Sequence, residues 1–349
     1  MSAFDIGLLR NRARLIQLIR EFFQERDYLE VDTALLCPSL IPESALEVFS
    51  TRYRPPHGGG REFFLIPSPE LWMKRLIAAG SGSIFQICKS FRNSEPATRI
   101  HNPEFTMLEC YTLEAGYLQS IDIIEELFSH LLAGMSLEPV LSYGDRRVDC
   151  SAPFLRLSMA EAFRRYLRLD LQQLVQTGFE ALAAAARRLG LSVTEEDGPA
   201  DLFHKIFLSA VEPNLPANRA LILYDYPALI PTLARRKPST PWAERWELYL
   251  AGVEIANCYS EETDPAAYED FYNNQDRAKR QAAVVHPSDR ELLRIIRELG
   301  FPACSGVALG LERLFLFFLG RDSIRGVLPF GAFIPSDEGP PIETGGGSH

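Results

Sequence analysis

The chain has 349 residues, of which 46% are hydrophobic and 23% charged, and its net charge is −10. This composition is that of a folded protein with a full core, which excludes a disordered chain. The acidic balance argues against a large general nucleic-acid surface, because such a surface needs clustered lysine and arginine. There is no apolar run of 18 residues and no signal-like start, so we expect a cytoplasmic protein without a membrane span.

The first predicted elements are a helix and two strands. Apolar residues recur at helical spacing near residues 7–27, and residues 28–31 follow as a short strand. Residues 53–62 are rich in proline and glycine, which predicts a turn or a mobile flap. A second strand is predicted at residues 63–66.

A helix is predicted to start at Ser68, Pro69 and Glu70. Serine is a favoured N-cap, proline is a favoured first helical residue, and an acid suits the first turn. Gly80 can end this helix.

A long antiparallel hairpin is predicted next. Residues 84–92 and 103–112 are both strand-like, and the polar residues 93–102 join them. Helices are predicted at residues 118–133 and 158–168.

The second half of the chain predicts a helical insertion and then a return to strands. The insertion covers about residues 165–215, where leucine, alanine and arginine are frequent. The later elements are strands near residues 220–225, 245–251, 253–260 and 305–309 and helices near residues 266–283 and 311–319. Antiparallel strands with helices between them favour an α+β fold. Neither glycine-rich phosphate motif, GxxxxGK[ST] or GxGxxG, is present, and the six scattered cysteines argue against zinc.

One predicted strand carries an acid on an apolar face. With a period of two, Phe105, Met107, Glu109 and Tyr111 share one side of the strand. A buried carboxylate needs a positive partner or hydrogen-bond donors. Alternatively, Glu109 lies at a sheet edge and reaches water, or it simply pairs with Arg92.

Three further acids, Glu247, Glu254 and Glu261, recur at intervals of seven among apolar residues. Seven is an odd number, so a flat strand would alternate their faces. A turn at residues 251–252 or a β-bulge would reset the register. The β-branched and aromatic residues nearby favour strands over the alternative, a solvated amphipathic helix.

Arg313 begins a strongly apolar helix, Leu314–Leu319. A cation at a helix N-terminus opposes the helix dipole. This placement makes sense if an anion binds there, held by the guanidinium and the helix amides together. Alternatively, the side chain extends to the surface.

Together these segments resemble the class II aminoacyl-tRNA synthetases, and the lysyl-tRNA synthetases in particular. The matching segments are residues 91–93 (FRN), 101–107 (HNPEFTM) and 109–111 (ECY) for motif 2, residues 306–313 (GVALGLER) for motif 3, residues 20–36 in the place of motif 1, and residues 252–261 (GVEIANCYSE) for the lysine pocket.

The resemblance implies an α+β class II catalytic domain over residues 1–338, with an antiparallel sheet flanked by helices. The glycine-containing end of the chain, residues 339–349, is expected to be a flexible tail. Lysyl-tRNA synthetases carry an N-terminal OB-fold that reads the anticodon, whereas this chain is expected to lack one. It therefore resembles the elongation factor P lysine ligases, which attach (R)-β-lysine to a lysine of elongation factor P. Ala308, where lysyl-tRNA synthetases usually have glycine, and the stretch Cys304–Gly310 are similar to that family.

Residue roles follow from the same resemblance. The residues expected around the diamino acid are Glu70, Glu109, Tyr111, Asn257, Glu261 and Ala308. The residues expected around ATP are Arg92, Glu95, His101, Asn102, Phe105, Glu247, Glu254 and Arg313. Arg92 and Arg313 would be the catalytic cations, Phe105 would stack on adenine, and Glu247 and Glu254 would bind Mg²⁺. His101 could instead only order its loop through a hydrogen bond.

The expected activity is AMP-forming ligation: ATP activates lysine or (R)-β-lysine as an acyl-adenylate, and elongation factor P accepts the acyl group. A homodimer is expected. Three alternatives compete with this prediction. The first is tRNA aminoacylation, which the acidic charge disfavours. The second is a non-enzymatic regulatory protein, which should have lost some of the charged site residues. The third is amide synthesis on a free small molecule.

Overall fold

The computed structural model describes residues 5–94 and 98–328. The α-helices of this part of the chain are α1 (Ile6–Gln24), α2 (Glu70–Ala78), α3 (Gln119–Gly134), α4 (Met159–Leu167), α5 (Leu171–Thr177), α6 (Phe179–Arg188), α7 (Pro199–Ile206), α8 (Pro265–Lys279), α9 (Arg290–Leu299) and α10 (Leu311–Phe318). The strands are β1 (Leu29–Glu30), β2 (Leu36–Cys37), β3 (Ser50–Tyr53), β4 (Arg61–Leu65), β5 (Ile84–Phe91), β6 (Glu104–Leu113), β7 (Val140–Tyr143), β8 (Arg146–Asp149), β9 (Leu155–Ser158), β10 (Leu221–Pro227), β11 (Trp242–Leu250), β12 (Val253–Ser260) and β13 (Cys304–Gly310).

Eight of these strands form one sheet in the order β1-β5-β6-β13-β12-β11-β10-β9. The outermost pairs, β1 with β5 and β9 with β10, are parallel, and the strands between them are antiparallel. Two small sheets, β2-β4-β3 and β7-β8, lie outside it. The predicted α+β class with a mainly antiparallel sheet flanked by helices is confirmed.

The predicted hairpin of β5 and β6 is also confirmed, and it lies inside the sheet. Glu109 on β6 faces Gln86 of β5 on one side and Ala308 of β13 on the other. A strand with partners on both sides is not an edge. The alternative that Glu109 reaches water at a sheet edge is therefore wrong.

The segment with three acids at intervals of seven forms two strands, as predicted. Ala251 and Gly252 make the turn between β11 and β12, with φ angles of 51° and 81°. A register shift also occurs between Leu248 and Tyr249. Both predicted devices, the turn and the bulge, are present, and together they bring Glu247 and Glu254 to one side of the sheet.

The alternation along β6 decides which face of the sheet carries polar groups. Leu108 and Cys110 pack into the main core with α1, α3 and α10. Tyr111 packs on the opposite face with residues of α2, α8 and α9. Because side chains alternate along a strand, Glu109 lies on that second face with Tyr111.

The helices α5, α6 and α7 lie within the segment predicted as an insertion. They share a core with α4 and with β10 and β11, in which the rings of Phe163 and Phe203 stack at 5.6 Å. The sequence analysis did not predict the helix α9 or the strands β2, β3, β7, β8 and β9.

The start of α2 was predicted one residue early. Pro69, not Ser68, is the N-cap, and the first helical residue is Glu70. The Ser68 hydroxyl still lies near the helix end and accepts a hydrogen bond from the Glu70 amide at 3.4 Å. Within the described ranges 5–94 and 98–328, every helix is too short or too polar to cross a membrane.

Candidate active site

Two adjoining cavities lie on the face of the sheet formed by β6, β12 and β13. The larger has a volume of about 360 Å³ and the smaller about 80 Å³. They share Arg92, Met107, Asn257, Tyr259 and Ala308 among their lining residues. The two cavities are therefore compartments of one site.

The structure brings the predicted site residues together around these two cavities. Those that line the larger cavity are Arg92, His101, Asn102, Phe105, Glu247, Glu254, Asn257, Ala308 and Arg313. Those that line the smaller cavity are Glu70, Arg92, Glu109, Tyr111, Asn257, Glu261 and Ala308. The remaining predicted residue, Glu95, lies outside the described residues.

The smaller cavity is acidic, and Glu109 lies at its base. The Glu109 side chain is buried, and its Oε1 accepts a hydrogen bond of 2.8 Å from the Tyr111 hydroxyl. Its Oε2 has no hydrogen-bond partner within the described part of the chain. Burial, and then the charge of Glu70, raise the pKa of Glu109 well above its usual range. A cation bound beside Oε2 would reverse this effect.

A lysine that the sequence analysis missed lies buried beside the acids of the smaller cavity. Lys74 is fully buried, and its Nζ lies 2.5 Å from Glu70 Oε1 and 2.8 Å from Glu261 Oε2. Burial by itself lowers the pKa of Lys74, but the charges of Glu261 and Glu70 raise it well above the usual range. The i,i+4 spacing of Glu70 and Lys74 was the available signal for this pair.

Gly306 on β13 leaves room for the acidic groups. A Cβ added there would lie 2.4 Å from Glu261 Oε1 and 2.8 Å from Tyr111 Cε1. Such contacts are far inside van der Waals distance. Only glycine fits at this position while Glu261 and Tyr111 keep their places.

The larger cavity carries the two predicted catalytic cations. The Arg92 guanidinium carbon lies 5.3 Å from the centre of the Phe105 ring. Arg313 is 25% exposed, and it donates a hydrogen bond of 2.9 Å to the Glu254 carbonyl oxygen. The alternative that Arg313 extends to the surface is therefore wrong, because its side chain lines the cavity.

Glu247 is held in a network of hydrogen bonds. Its Oε2 accepts from the hydroxyls of Tyr226 and Tyr249, at 2.5 and 2.7 Å, and its Oε1 accepts from Arg245 at 2.5 Å. Arg245 was not predicted. It is largely buried, and its guanidinium carbon lies 4.6 Å from the centre of the Tyr226 ring. These contacts fix one carboxylate at the wall of the larger cavity.

Glu254 is the second acid of this wall. Burial, and then the charge of Glu247, raise the pKa of Glu254 to about 7. Within residues 5–94 and 98–328 no group of three or more His, Cys, Asp or Glu side chains could hold a metal ion alone. Two carboxylates that face one cavity fit Mg²⁺ when phosphate oxygens and water complete its shell, as is usual for this ion.

His101 and Asn102 lie at the end of the loop that joins β5 to β6. The His101 Nδ1 lies 2.8 Å from the Thr98 hydroxyl, so the loop-ordering hydrogen bond considered for His101 exists. Asn102 is buried, and its amide donates to the Glu104 carbonyl oxygen at 2.5 Å. Both residues also line the larger cavity, so ordering the loop and facing the ligand are compatible roles.

Glu312, which belongs to the segment matched to motif 3, has a structural role. Its buried carboxylate accepts hydrogen bonds from the Thr106 amide at 2.7 Å and the Thr106 hydroxyl at 2.6 Å. It also pairs with Arg12 at 3.3 Å. Glu312 also lines the larger cavity, so these contacts join α1, β6 and α10 at its wall and position the start of α10, which carries Arg313.

Two further lining residues were not predicted. Glu43 is half-buried and lines both cavities, and burial followed by the charge of Glu70 raises its pKa to about 7. Tyr259 also lines both, and its hydroxyl accepts a hydrogen bond of 3.1 Å from the Asn257 amide. Glu43 precedes any regular element, and no local pattern marked it.

A sheet of this kind, with an acidic pocket joined to a cavity carrying arginines, defines the catalytic domain of a class II synthetase. A model of the family "tRNA synthetases class II (D, K and N)" matches residues 7–333. The chain belongs to this family, whose members activate an amino acid with ATP.

Proposed function

We propose that this protein activates a diamino acid, lysine or (R)-β-lysine, as an acyl-adenylate and transfers it to a lysine side chain of elongation factor P. One observation carries the choice of substrate: four carboxyl groups, those of Glu43, Glu70, Glu109 and Glu261, line the smaller cavity. The positive charges beside them are Arg92 in the lining and the buried ammonium of Lys74, which pairs with two of the acids. An acidic pocket favours a cationic side chain. It disfavours aspartate, whose carboxylate would add a further negative charge.

The chain's residues support the first step through position and charge. Asn257 and Arg92 line both cavities, so they lie where a substrate carboxylate in the smaller cavity would meet a nucleotide in the larger. The carboxylate attacks the α-phosphorus, and pyrophosphate leaves. Arg92 would stabilise the charge on the phosphoryl oxygens, and Arg313 would hold the departing phosphates.

Glu247 and Glu254 are the residues that would hold Mg²⁺, which would supply neutralising charge at the phosphates. The hydrogen bonds of Glu247 to Tyr226 and Tyr249 keep that carboxylate in place before the ion arrives. A preorganised ligand loses less entropy on binding.

The acceptor is the finer part of the proposal. In the second step an acceptor amine attacks the acyl carbonyl and AMP leaves. Elongation factor P is proposed because the stretch Cys304–Gly310 and its alanine at position 308 resemble the ligases that modify that protein. Ala308 lines both cavities, so its methyl group takes up space at the junction where the acyl group would lie.

Pyrophosphate exchange with lysine, (R)-β-lysine, aspartate and asparagine tests the first step. Exchange only with the diamino acids is expected, and exchange only with aspartate would overturn the proposal. Mass spectrometry of purified elongation factor P, run beside charging of lysine tRNA, tests the acceptor. Labelled tRNA together with unmodified elongation factor P would exclude the ligase.

Binding of the diamino acid is expected to strengthen as the pH rises through neutrality. Burial raises the pKa of Glu261 to about 7, and burial also raises the pKa of Glu109 well above its usual range. A substrate ammonium favours the ionised carboxylates, so a protonated pocket must lose a proton before it binds. Below the pKa, affinity should fall by about tenfold per pH unit for each proton lost.

Calorimetry without ATP, between pH 5.5 and 8, measures this dependence directly. Titrations in two buffers with different ionisation enthalpies should show proton release on binding. A binding constant that does not change over this range would contradict the proposed acid pocket.

We also propose a homodimer formed through residues 20–36. Leu29 and Leu36 in this segment are 54% and 48% exposed, and Leu29 belongs to the edge strand β1. Exposed leucines beside an unpaired strand edge suit an interface. Sedimentation that finds only monomer at micromolar concentration would refute this.

A further inference from the structure

The balance of charges in the smaller cavity depends on Lys74, a residue of α2 that is fully buried. Its ammonium contacts Glu70 on its own helix and Glu261 just after β12, at 2.5 and 2.8 Å. Burying an ammonium group costs free energy unless a carboxylate pairs with it. Lys74 has two carboxylate partners, so the cluster carries more negative than positive charge. The surplus acid indicates that this cluster is completed by further cations.

The charges can be counted. Three carboxyl groups, Glu70, Glu109 and Glu261, and one ammonium, Lys74, leave a net charge of −2 when all are ionised. Glu43 and Arg92, at the junction of the two cavities, cancel each other. The two ammonium groups of a diamino acid would offset these two negative charges, while its carboxylate would lie at the junction of the two cavities.

We propose that Lys74 is a positioning residue that sets this charge balance: its ammonium offsets one negative charge and holds the carboxylates of Glu70 and Glu261 in place, so that the cavity takes a substrate with two ammonium groups. The inference rests on the proposed activation of a diamino acid. Lys74 does not touch the reacting carboxylate. It acts through the acids that would bind the amines.

Other groups around Lys74 do not replace its charge. Its ammonium also lies 5.5 Å from the centre of the Tyr268 ring. Seven titratable groups interact electrostatically with Lys74, namely Glu43, Glu70, Glu109, Glu261, Tyr268, Tyr272 and Cys304. Burial raises the pKa of both tyrosines and of the thiol, so they stay neutral near pH 7. Lys74 is therefore the one fixed cation among these groups.

The test compares the pH dependence of diamino acid binding in variants. In Lys74→Met the remaining acids lose a positive neighbour, so the acidic limb of the binding curve should move up by about one to three pH units. A shift of one unit lowers affinity near pH 7 by about tenfold. The double variant Lys74→Met with Glu70→Gln removes one charge of each sign, and its limb should return close to the wild-type position.

A matched control and a second comparison keep the test decisive. Lys205→Met removes a lysine paired with Asp197 at 2.7 Å on the helical insertion, and it should leave the limb unchanged. If Lys74→Met alone does not fold, Glu70→Gln is compared with the double variant. The single variant should have its limb at lower pH than wild type, and adding Lys74→Met should raise it.

The outcomes separate the two proposals. If neither lysine nor (R)-β-lysine supports pyrophosphate exchange by the wild-type protein, the proposed function is overturned. Wild-type exchange combined with limbs that superimpose across the Lys74 variants, even where melting temperatures fall, overturns only the role of Lys74. That second result would mean that the lysine merely fills and stabilises the core.

Discussion

Replacing Arg92 by alanine is expected to lower kcat for diamino acid-dependent pyrophosphate exchange by about 10²–10³-fold, as for the loss of one donor to a developing anion. Arg92 lines both cavities, so its guanidinium lies at the junction where carboxylate and α-phosphate would meet. Arg92→Lys keeps the charge but loses the planar fork of donors, and an intermediate loss is expected.

Exchange kinetics and thermal melting should be measured together, because a fall in kcat is informative only in a folded variant. Arg147→Ala is the matched control: that arginine is exposed on β8, outside both cavities, and should behave as wild type. An Arg92→Ala enzyme with kcat within about threefold of wild type would remove Arg92 from the transition state.

The joint position of the site residues was predicted from the resemblance to class II synthetases, and short-range rules account for part of it. The period of two along β6 places Glu109 and Tyr111 on one face, and the turn at residues 251–252 brings Glu247 and Glu254 together. The register of β13 between β6 and β12 then sets Gly306 beside Tyr111. Local periodicity therefore explains why Glu109 and Tyr111 share a face, whereas the meeting of the distant segments was implied by the resemblance.

The role of Lys74 could not be predicted from such rules. A glutamate and a lysine four residues apart on a helix usually form an exposed pair of little energetic weight. Here α2 is covered by α8 and α9, and Glu261 arrives from a distant part of the chain. Burial is a tertiary property, so the sequence could show the pair but not its surroundings. The same reason explains the missed Glu43, which no local pattern distinguishes.

Gly306→Ala is expected to raise KM for the diamino acid by about 10–100-fold, because misplacing substrate-binding groups by about 1 Å has effects of this size. The backbone of β13 accepts alanine, so the cause is steric: the new Cβ would lie 2.4 Å from Glu261 Oε1 and 2.8 Å from Tyr111 Cε1. Neither group can move freely, since Glu261 is paired with Lys74 at 2.8 Å and Tyr111 is bonded to Glu109 at 2.8 Å.

Overpacking at this position should also cost about 1–3 kcal/mol of unfolding free energy. Gly326→Ala provides the control, because its new Cβ would make only ordinary contacts, the nearest at 3.6 Å to the Arg321 side chain. KM for ATP should change far less than KM for the diamino acid, since Gly306 lines the smaller cavity and not the larger. A variant that loses stability but keeps the wild-type KM for the diamino acid would show that Glu261 and Tyr111 do not bind the substrate, and the pocket of carboxylates would then be structural.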